Sequence, residues 1–285
     1  MERTLDLMHR WGYAPTIDAL ASELLGGRVE PDRLFDVIRT SERFIHIDRF
    51  VCLPGHEGLV RESCLRVQTN RAMNGRAKAV AQDFAERLLR LCPFVECVAI
   101  SGSVASGGYV PADDIDLDIF VPDGTKYLTY AISLALSFGA SLRHRQHGRL
   151  RKIICINVIW TRSQTSPFAR NDASLAFELL HCRPLVGPKY FREVIRRNQW
   201  VEGYFPQVAV EPVPVSAPPG PSLLGKLVSW VVAHPAMLTV AERIGRAVSH
   251  RIYDIVHWLR RNDRAARERL DFLKRAKYPY EVFQD

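Results

Sequence analysis

The sequence predicts an α+β protein with a small N-terminal unit of helices and a hairpin, a central mixed β-sheet with flanking helices, and a C-terminal helical segment. Three apolar, β-prone runs lie in the middle of the chain, at 94–101, 114–121 and 152–160, and helical patterns lie on both sides of them. Of the 285 residues, 47% are apolar and 25% are charged, values typical of a folded protein with room for two modest domains.

Composition argues against several classes of protein. No run of about 18 uncharged apolar residues occurs, so we expect no membrane-spanning helix, and the N-terminus lacks the basic-then-apolar layout of a signal peptide. The six cysteines, at positions 52, 64, 92, 97, 155 and 182, form no CxxC pair. Isolated thiols favour a reduced, cytoplasmic environment over a disulfide framework or a zinc site.

Residues 1–57 predict a winged-helix-like unit. A short helix covers 2–12, Thr16 can cap a second helix that Gly26-Gly27 ends, and Pro31 suits the first turn of a third. Two β-prone runs around an Asp-Arg turn then predict a hairpin. In the third helix we expect four apolar residues to face inward: Leu34, Phe35, Val37 and Ile38.

A winged helix suggests DNA binding, but the charge of this unit argues against it. Residues 1–60 carry 7 Lys and Arg against 10 Asp and Glu, whereas neutralisation of phosphates supplies much of the affinity for DNA. We therefore favour docking to a protein, or packing within the chain. A connecting helix over 58–92 follows, with seven basic residues against three acidic ones, and we favour a solvated face here over a nucleic-acid surface.

The chemistry-bearing segment joins the first two central runs. The first run ends in Gly102-Ser103, and Asp114 opens the second after a spacer of ten residues. Alternation along a strand places Asp114 and Asp116 on one face about 6–7 Å apart, where they can hold divalent cations. Gly102 lets the backbone approach a phosphate, and the Ser103 hydroxyl adds a donor. Unpaired carboxylates are costly in an apolar run, so we interpret the pair as functional.

This pattern resembles the nucleotidyltransferase superfamily of DNA polymerase β, whose signature is an apolar strand, Gly-Gly or Gly-Ser, a short spacer, and two aspartates separated by one apolar residue. The resemblance implies that Asp114 and Asp116 are catalytic and bind two Mg²⁺ ions, with Mn²⁺ as a substitute. It also implies that Gly102 and Ser103 hold the triphosphate of an NTP such as ATP, in a nucleotidyltransferase domain over 93–206.

The resemblance extends to a group of bacterial nucleotidyltransferase-domain proteins, over roughly residues 1–206. Their layout is a winged-helix-like segment, a basic helix, the Gly-Ser strand, a Cys-x-Asn strand, a Glu-Leu…Arg-Pro-Leu-x-Gly segment and an Asn-x-Trp-Val element. The matching residues here are Cys155-Ile156-Asn157, Glu178-Leu179, Arg183-Pro184-Leu185-Val186-Gly187 and Asn198-Gln199-Trp200-Val201.

One departure from the wider superfamily concerns a third carboxylate, which active members place on a later strand. The run 152–160 offers Asn157 at that place, and an amide can ligate Mg²⁺ but cannot act as a base. Asp118 shares the face of the two predicted metal ligands, so it can supply the missing charge or pair with a basic residue. Glu178 is a further candidate, or it pairs with Arg183 or lies on a helix face.

Two other features leave alternatives open. The basic cluster 143–152 can meet phosphates or form a solvated loop. Asn198 and Trp200 can shape a substrate pocket, but we favour a buried Trp with a capping Asn.

The C-terminal part begins with a linker over 207–222, which holds five prolines, and continues with a helical segment over 223–285. We expect its apolar stripe to pack over the site, so that its basic residues, eleven against five acidic ones over 241–277, lie near the triphosphate. The rival is a basic amphipathic helix on an anionic membrane, which the interspersed acids weaken. The stripe comprises Leu223, Leu227, Val231, Met237, Leu238, Ile252, Ile255, Val256 and Leu259.

Three functions follow from these features. The leading expectation is a Mg²⁺-dependent nucleotidyltransferase that moves an NMP from an NTP to an unidentified acceptor, a small molecule or a protein being favoured, with release of pyrophosphate. The alternative is a nucleotide-binding regulatory module without transferase activity, which Asn157 suggests. A winged-helix DNA-binding regulator is the third, and the acidic N-terminal unit disfavours it.

Overall fold

A computed structural model describes residues 1–143, 152–208 and 220–259, and it confirms a mixed α+β fold with a mixed four-stranded sheet. Most of the basic cluster 143–152, most of the linker and the C-terminal 26 residues lie outside the described residues. The described helices are α1 (Glu2–Arg10), α2 (Ile17–Ser22), α3 (Pro31–Thr40), α4 (Glu57–Leu91), α5 (Gly102–Ser106), α6 (Lys126–Arg143), α7 (Ala173–His181), α8 (Pro188–Arg197), α9 (Trp200–Tyr204), α10 (Leu223–Ala233) and α11 (Pro235–Leu259). The strands are β1 (Ile45–Ile47), β2 (Phe50–Cys52), β3 (Cys97–Ile100), β4 (Ile115–Val121), β5 (Ile154–Thr161) and β6 (Arg183–Val186).

The N-terminal region contains three helices and an antiparallel hairpin of β1 and β2. The Thr16 hydroxyl caps α2 by accepting a hydrogen bond from the Ala19 amide, as its position in the sequence predicts. The helix ends at Ser22, earlier than expected, and the amide of Leu25 donates instead to the Thr4 hydroxyl of α1. The expectation that Val37 faces inward is wrong, because 51% of its surface is exposed on the outer side of α3.

The four-stranded sheet has the strand order β5-β4-β3-β6. β3 pairs antiparallel with both β4 and β6, whereas β4 pairs parallel with β5. The edge strand β6 was not expected from the sequence, since it has only four residues and contains Pro184. Its pairing places α7 beside the end of β3, which brings a third element to the predicted site.

Two cores lie on opposite faces of this sheet. The first buries side chains of α1–α3 together with those of α7–α9, and Phe177 of α7 meets the ring of Trp11 edge to face at 5.6 Å. The second buries α4, α5 and α6 against the other face, with Phe84 and Leu88 among the α4 side chains. The N-terminal helices therefore pack within the chain, one of the two arrangements that their charge favoured over DNA binding.

The C-terminal helices lie against α4 and α6 with a different face from the one expected. The predicted stripe is largely exposed: Leu223, Leu227, Met237 and Ile255 all present their side chains to solvent. Small residues make the contacts instead, and the side chains of Val256 and Leu259 lie outside the described residues. Within the described ranges no single helix has the length and apolar composition to cross a membrane, although α10 and α11 as far as Ile252 meet that test as a pair bent by 111°.

Candidate metal and nucleotide site

The Gly-Ser turn joins β3 to α5 and lies against β4. Gly102 has a φ of +60°, a conformation that side-chain-bearing residues rarely adopt. A Cβ atom on Gly102 would lie 2.2 Å from Oδ2 of Asp116, so only glycine leaves room for that carboxylate. The turn and the aspartate, fourteen residues apart in sequence, are therefore in direct contact.

The positions of the aspartate side chains are set by the alternation of residues along β4 and by its register with the neighbouring strand β5. Asp116 and Asp118 alternate with buried Leu117, and they face the side of the sheet that packs α7. In the parallel ladder Leu117 pairs with Ile156 and Asp118 with Val158, so Asn157 is the extra residue of a bulge in β5. The bulge is next to the carboxylates, where it redirects a polar side chain.

The structure brings Asp114 and Asp116 together and adds Cys155. One carboxylate oxygen of each aspartate and the Cys155 sulfur all lie within 4.8 Å of one another, and all three residues are half-buried. Lys152 Nζ lies 3.0 Å from Oδ2 of Asp114. Among the described residues this is the one group of three or more acidic, His or Cys side chains with the spacing of a metal site.

The chemistry of the cluster favours oxygen ligation. Burial raises the pKa of the Cys155 thiol to about 12; Lys152 lowers this pKa, and Asp116 and Asp114 raise it. The thiol is therefore protonated at neutral pH and is a weak ligand. Carboxylate oxygens are the ligands that Mg²⁺ and Mn²⁺ prefer, so Asp114 and Asp116 fit such a cation.

Asp118 lies deeper and is held by neutral donors. The Ser101 hydroxyl and the Asn157 amide each donate to its Oδ1 at 2.9 Å, and the Cys182 thiol donates to Oδ2 at 3.4 Å. Only 1% of its surface is exposed, and burial raises its pKa, against the opposing effect of these hydrogen bonds. The predicted pairing of Asp118 with a basic residue is not seen in these contacts, because all three donors are uncharged. Asp118 instead anchors β3, β5 and the end of α7 to β4.

Asn157 connects two carboxylates. Its amide nitrogen donates to Asp118 and also to Oε1 of Glu178 on α7, at 3.1 Å. Burial, and then the charge of Asp118, raise the pKa of Glu178 to about 8. The suggested pairing of Glu178 with Arg183 is not seen, because Arg183 donates to the backbone carbonyls of Leu180 and Cys182.

The loop before Asp114 is held by the long helix α4. Arg66 donates to Oδ2 of Asp113 at 2.8 Å and to the carbonyl of Gly108 at 3.3 Å, and Glu62 orients the guanidinium from one turn earlier. Part of the basic face of α4 thus positions the spacer between the Gly-Ser turn and the aspartates.

Of the favoured interpretation, a buried Trp with a capping Asn, the structure shows the Asn at the end of α8, whereas Trp200 is only half-buried. Asn198 is fully buried, and its side chain bonds the backbone of Thr165, Phe168 and Val194. The Trp200 indole donates at 3.1 Å to the side-chain oxygen of Asn198, the atom that also accepts from the Phe168 amide.

Sequence reasoning did not assign Cys155, Lys152 or Ser101 to the site. Cys155 lies two residues before Asn157 on the same strand. The alternation of side chains along a strand was therefore a signal that Cys155 faces the same side as Asn157. Lys152 was visible only as the end of a basic cluster, and Ser101 as the residue before the turn.

Comparisons of this chain with models of protein families, with curated proteins and with solved structures found no match.

Proposed function

We propose that this protein binds an NTP with Mg²⁺ and transfers the nucleoside monophosphate to an acceptor, releasing pyrophosphate. One observation carries the proposal: the Gly-Ser turn lies directly against the carboxylate of Asp116, and Asp114 lies beside it. A phosphate-approaching turn and a carboxylate pair are thus adjacent, which is what binding of a metal–triphosphate complex requires.

Asp114 and Asp116 would hold the cation, which supplies neutralisation of charge at the phosphates. Lys152, 3.0 Å from Asp114, neutralises the same carboxylate and would compete with the cation. The side chain of Lys152 is about half exposed and flexible, so a triphosphate would offer it another partner. Lys152 would then bind phosphate while Asp114 turns to the metal.

The start of α5 supplies the remaining phosphate contacts. Gly102, without a side chain, would let a phosphate approach the backbone of the turn, and the buried Ser103 Oγ has no hydrogen-bond partner among the described residues. A phosphate oxygen would satisfy that hydroxyl. Ser101, by contrast, is committed to Asp118 and serves to position the turn.

The finer description of the fold belongs to the same proposal. A nucleotidyltransferase domain over 93–206, a winged-helix-like unit over 1–57 and a connecting helix over 58–92 are supported by the order of elements along the chain. In particular, the strand–turn–helix unit of β3 and α5 is followed by β4, the strand that carries the aspartates.

A second candidate function is nucleotide binding without transfer. It is favoured by the environment of Glu178, whose pKa of about 8 leaves this carboxyl largely protonated at neutral pH. By the resemblance, Asn157 stands where active nucleotidyltransferases carry a third carboxylate, and its amide already donates hydrogen bonds to Asp118 and Glu178. Neither Glu178 nor Asn157 therefore supplies an ionised third carboxylate at neutral pH, and without one the protein would report nucleotide occupancy to a partner.

Titration calorimetry with Mg²⁺ and each of the NTPs tests the shared part of both functions. We expect Mg²⁺-dependent binding to the wild type and its loss in Asp116→Asn, with Asp6→Asn, an exposed aspartate of α1, as the control. Unchanged binding in Asp116→Asn would refute both functions. Pyrophosphate release over a panel of acceptors then separates them: release that Asp116→Asn abolishes supports transfer, and tight binding without release supports the regulatory module.

A further inference from the structure

The C-terminal helices expose their bulky apolar side chains and bury their small ones. Ten of the sixteen large apolar residues that are exposed in the described part of the chain lie on α10 and α11. On α11, Val240, Ile244 and Val248 recur every four residues and share one outer face. We name these ten residues the outer apolar face: Leu223, Leu224, Leu227, Trp230, Met237, Val240, Ile244, Val248, Ile255 and Trp258.

The opposite faces fix this orientation by close contacts. A Cβ atom on Gly225 would lie 2.0 Å from the carbonyl oxygen of Arg90 at the end of α4, so α10 can approach α4 only through glycine. A Cβ atom on Gly245 would lie 2.7 Å from the carbonyl oxygen of Tyr127 at the start of α6. Rotating either helix to bury its large side chains would separate these backbones, so the outer apolar face is a fixed feature of the fold.

Glu242 adds a polar lock to the same inner face. Its carboxylate accepts hydrogen bonds from the amides of Tyr127 at 3.1 Å and Leu128 at 2.7 Å, in the first turn of α6. Glu242 is one of the five acidic residues over 241–277 whose presence in the sequence disfavours a membrane-binding helix. It is turned toward the body of the protein, so it does not oppose the outer apolar face.

The charges beside the outer apolar face are mainly positive. Lys226 and Arg243 are exposed on the two helices, and Arg251 is exposed within the face itself, three residues after Val248 and four before Ile255. Arg246 is also exposed, over the ring of Tyr127, and Asp254 is the exposed acid in the described part of the two helices. The sequence that follows, residues 260–277, carries eight Lys and Arg against three Asp and Glu. A second copy of the chain docked symmetrically would bring these like charges together, whereas an anionic surface complements them.

The shape of the pair also suits a lipid surface. A shallow, open apolar depression of about 420 Å³ lies at the bend between the helices, lined by Val231, Ala236, Met237, Val240, Ala241 and Ile244. Trp230 presents an amphipathic ring at the edge of this face, a position that Trp favours at the boundary of a bilayer. Only together are α10 and α11, as far as Ile252, long and apolar enough to cross a membrane, and they are bent by 111° relative to each other. A bent pair fits insertion into one leaflet better than a straight crossing.

We infer that α10 and α11 dock the protein on the surface of an anionic phospholipid bilayer, with the outer apolar face inserted at the level of the headgroups and acyl chains. Lys226 and Arg243 pair with lipid phosphates around that face, and the long side chain of Arg251 reaches the phosphates from within it. The inference reverses the ranking that the sequence alone gave, and it does not depend on the proposed chemistry of the aspartates.

Flotation of the full chain with lipid vesicles tests the inference. We expect the wild type to float with vesicles that contain phosphatidylglycerol and much less with pure phosphatidylcholine, and added salt should weaken the binding. Leu227→Glu/Ile244→Glu should lower the partition coefficient by about tenfold or more. The matched control is Val37→Glu/Leu65→Glu, two substitutions at apolar residues 51% and 57% exposed elsewhere, and it should bind like the wild type.

Three results would overturn the inference: no flotation of the wild type with anionic vesicles, equal losses in both double variants, or a dimer in solution that only Leu227→Glu/Ile244→Glu dissociates. The last result would assign the face to a second copy of the chain. If that variant fails to fold, quenching of Trp fluorescence by brominated lipids decides, with Trp230→Phe/Trp258→Phe identifying the signal from the outer apolar face. Quenching that this double variant removes supports insertion, and absence of quenching in the wild type, or quenching that the double variant retains in full, contradicts it.

Discussion

Replacement of Gly102 by alanine separates the strain of the Gly-Ser turn from its role beside the aspartates. A left-handed conformation costs a residue with a Cβ about 1–2 kcal/mol. In addition, the new Cβ would lie 2.2 Å from Oδ2 of Asp116 and 3.0 Å from its Cγ, far inside van der Waals contact. The side chain of Asp116 must therefore rotate away, or the turn must move.

Gly107 provides the matched control at the other end of α5. Its φ is +79°, and a Cβ there would meet only Asn70 Nδ2 at 3.9 Å, which is ordinary contact. Both alanine variants should therefore lose about 1–2 kcal/mol of unfolding free energy from backbone strain alone. Gly102→Ala should in addition lose affinity for Mn²⁺ by about tenfold or more, because a carboxylate ligand is displaced.

Urea unfolding measures the first effect, and the electron paramagnetic resonance signal of free Mn²⁺ measures the second. The signature of the proposed site is a loss of Mn²⁺ binding in Gly102→Ala that Gly107→Ala does not share. Equal Mn²⁺ affinity in the two variants would refute the reasoning, since the contact with Asp116 would then have no bearing on metal binding.

Three further predictions concern stability. Burial raises the pKa of Asp118, and burial together with the charge of Asp118 raises the pKa of Glu178 to about 8. The folded state therefore binds protons more tightly than the unfolded chain, and stability falls as pH rises from about 5 to 8. Asn157→Asp removes the donor between them and adds a carboxyl; it should cost about 3 kcal/mol or more at pH 8 and less at pH 5, and a pH-independent loss in urea unfolding would contradict this. Glu242→Ala should cost about 1–2 kcal/mol, because two amides at the start of α6 lose their acceptor, whereas the exposed Glu202→Ala should change stability by less than about 0.5 kcal/mol. Phe177→Ala, in the core shared with the N-terminal helices, should cost about 3–5 kcal/mol of unfolding free energy, and an intact stability would show that this core is not cooperative with the rest.

The Gly-Ser turn and the two aspartates could be predicted because their geometry is local. Alternation along one strand fixes which residues share a face, and a glycine after an apolar strand indicates a tight turn. The contact of Gly102 with Asp116 was not visible, because it depends on the antiparallel register of β3 and β4. That register is set by packing over the whole sheet.

The junction of Asn157 and Glu178 could be suspected but not resolved from the sequence. The two residues meet because β5 carries a bulge at Asn157 and because β6 directs α7 to the same end of the sheet. Neither the bulge nor the short edge strand has a strong sequence signature. The sequence consequently left the role of Glu178 open among several partners.

The C-terminal helices show a different limit. Periodicity correctly divides α11 into two faces, but it does not say which face meets the body of the protein. The expectation that the bulky stripe packs inward was wrong because Gly225 and Gly245 allow close backbone contact on the other side. Small residues at such spacing are therefore as informative as the apolar stripe itself.

Anomalous diffraction from Mn²⁺, in crystals grown with a non-hydrolysable NTP analogue, tests the central claim most directly. The proposed function predicts Mn²⁺ peaks at about 2.0–2.3 Å from carboxylate oxygens of Asp114 and Asp116, with the phosphates of the analogue against Gly102 and Ser103. A nucleotide bound elsewhere, or Mn²⁺ absent from both aspartates at saturating concentrations of metal and analogue, would contradict it.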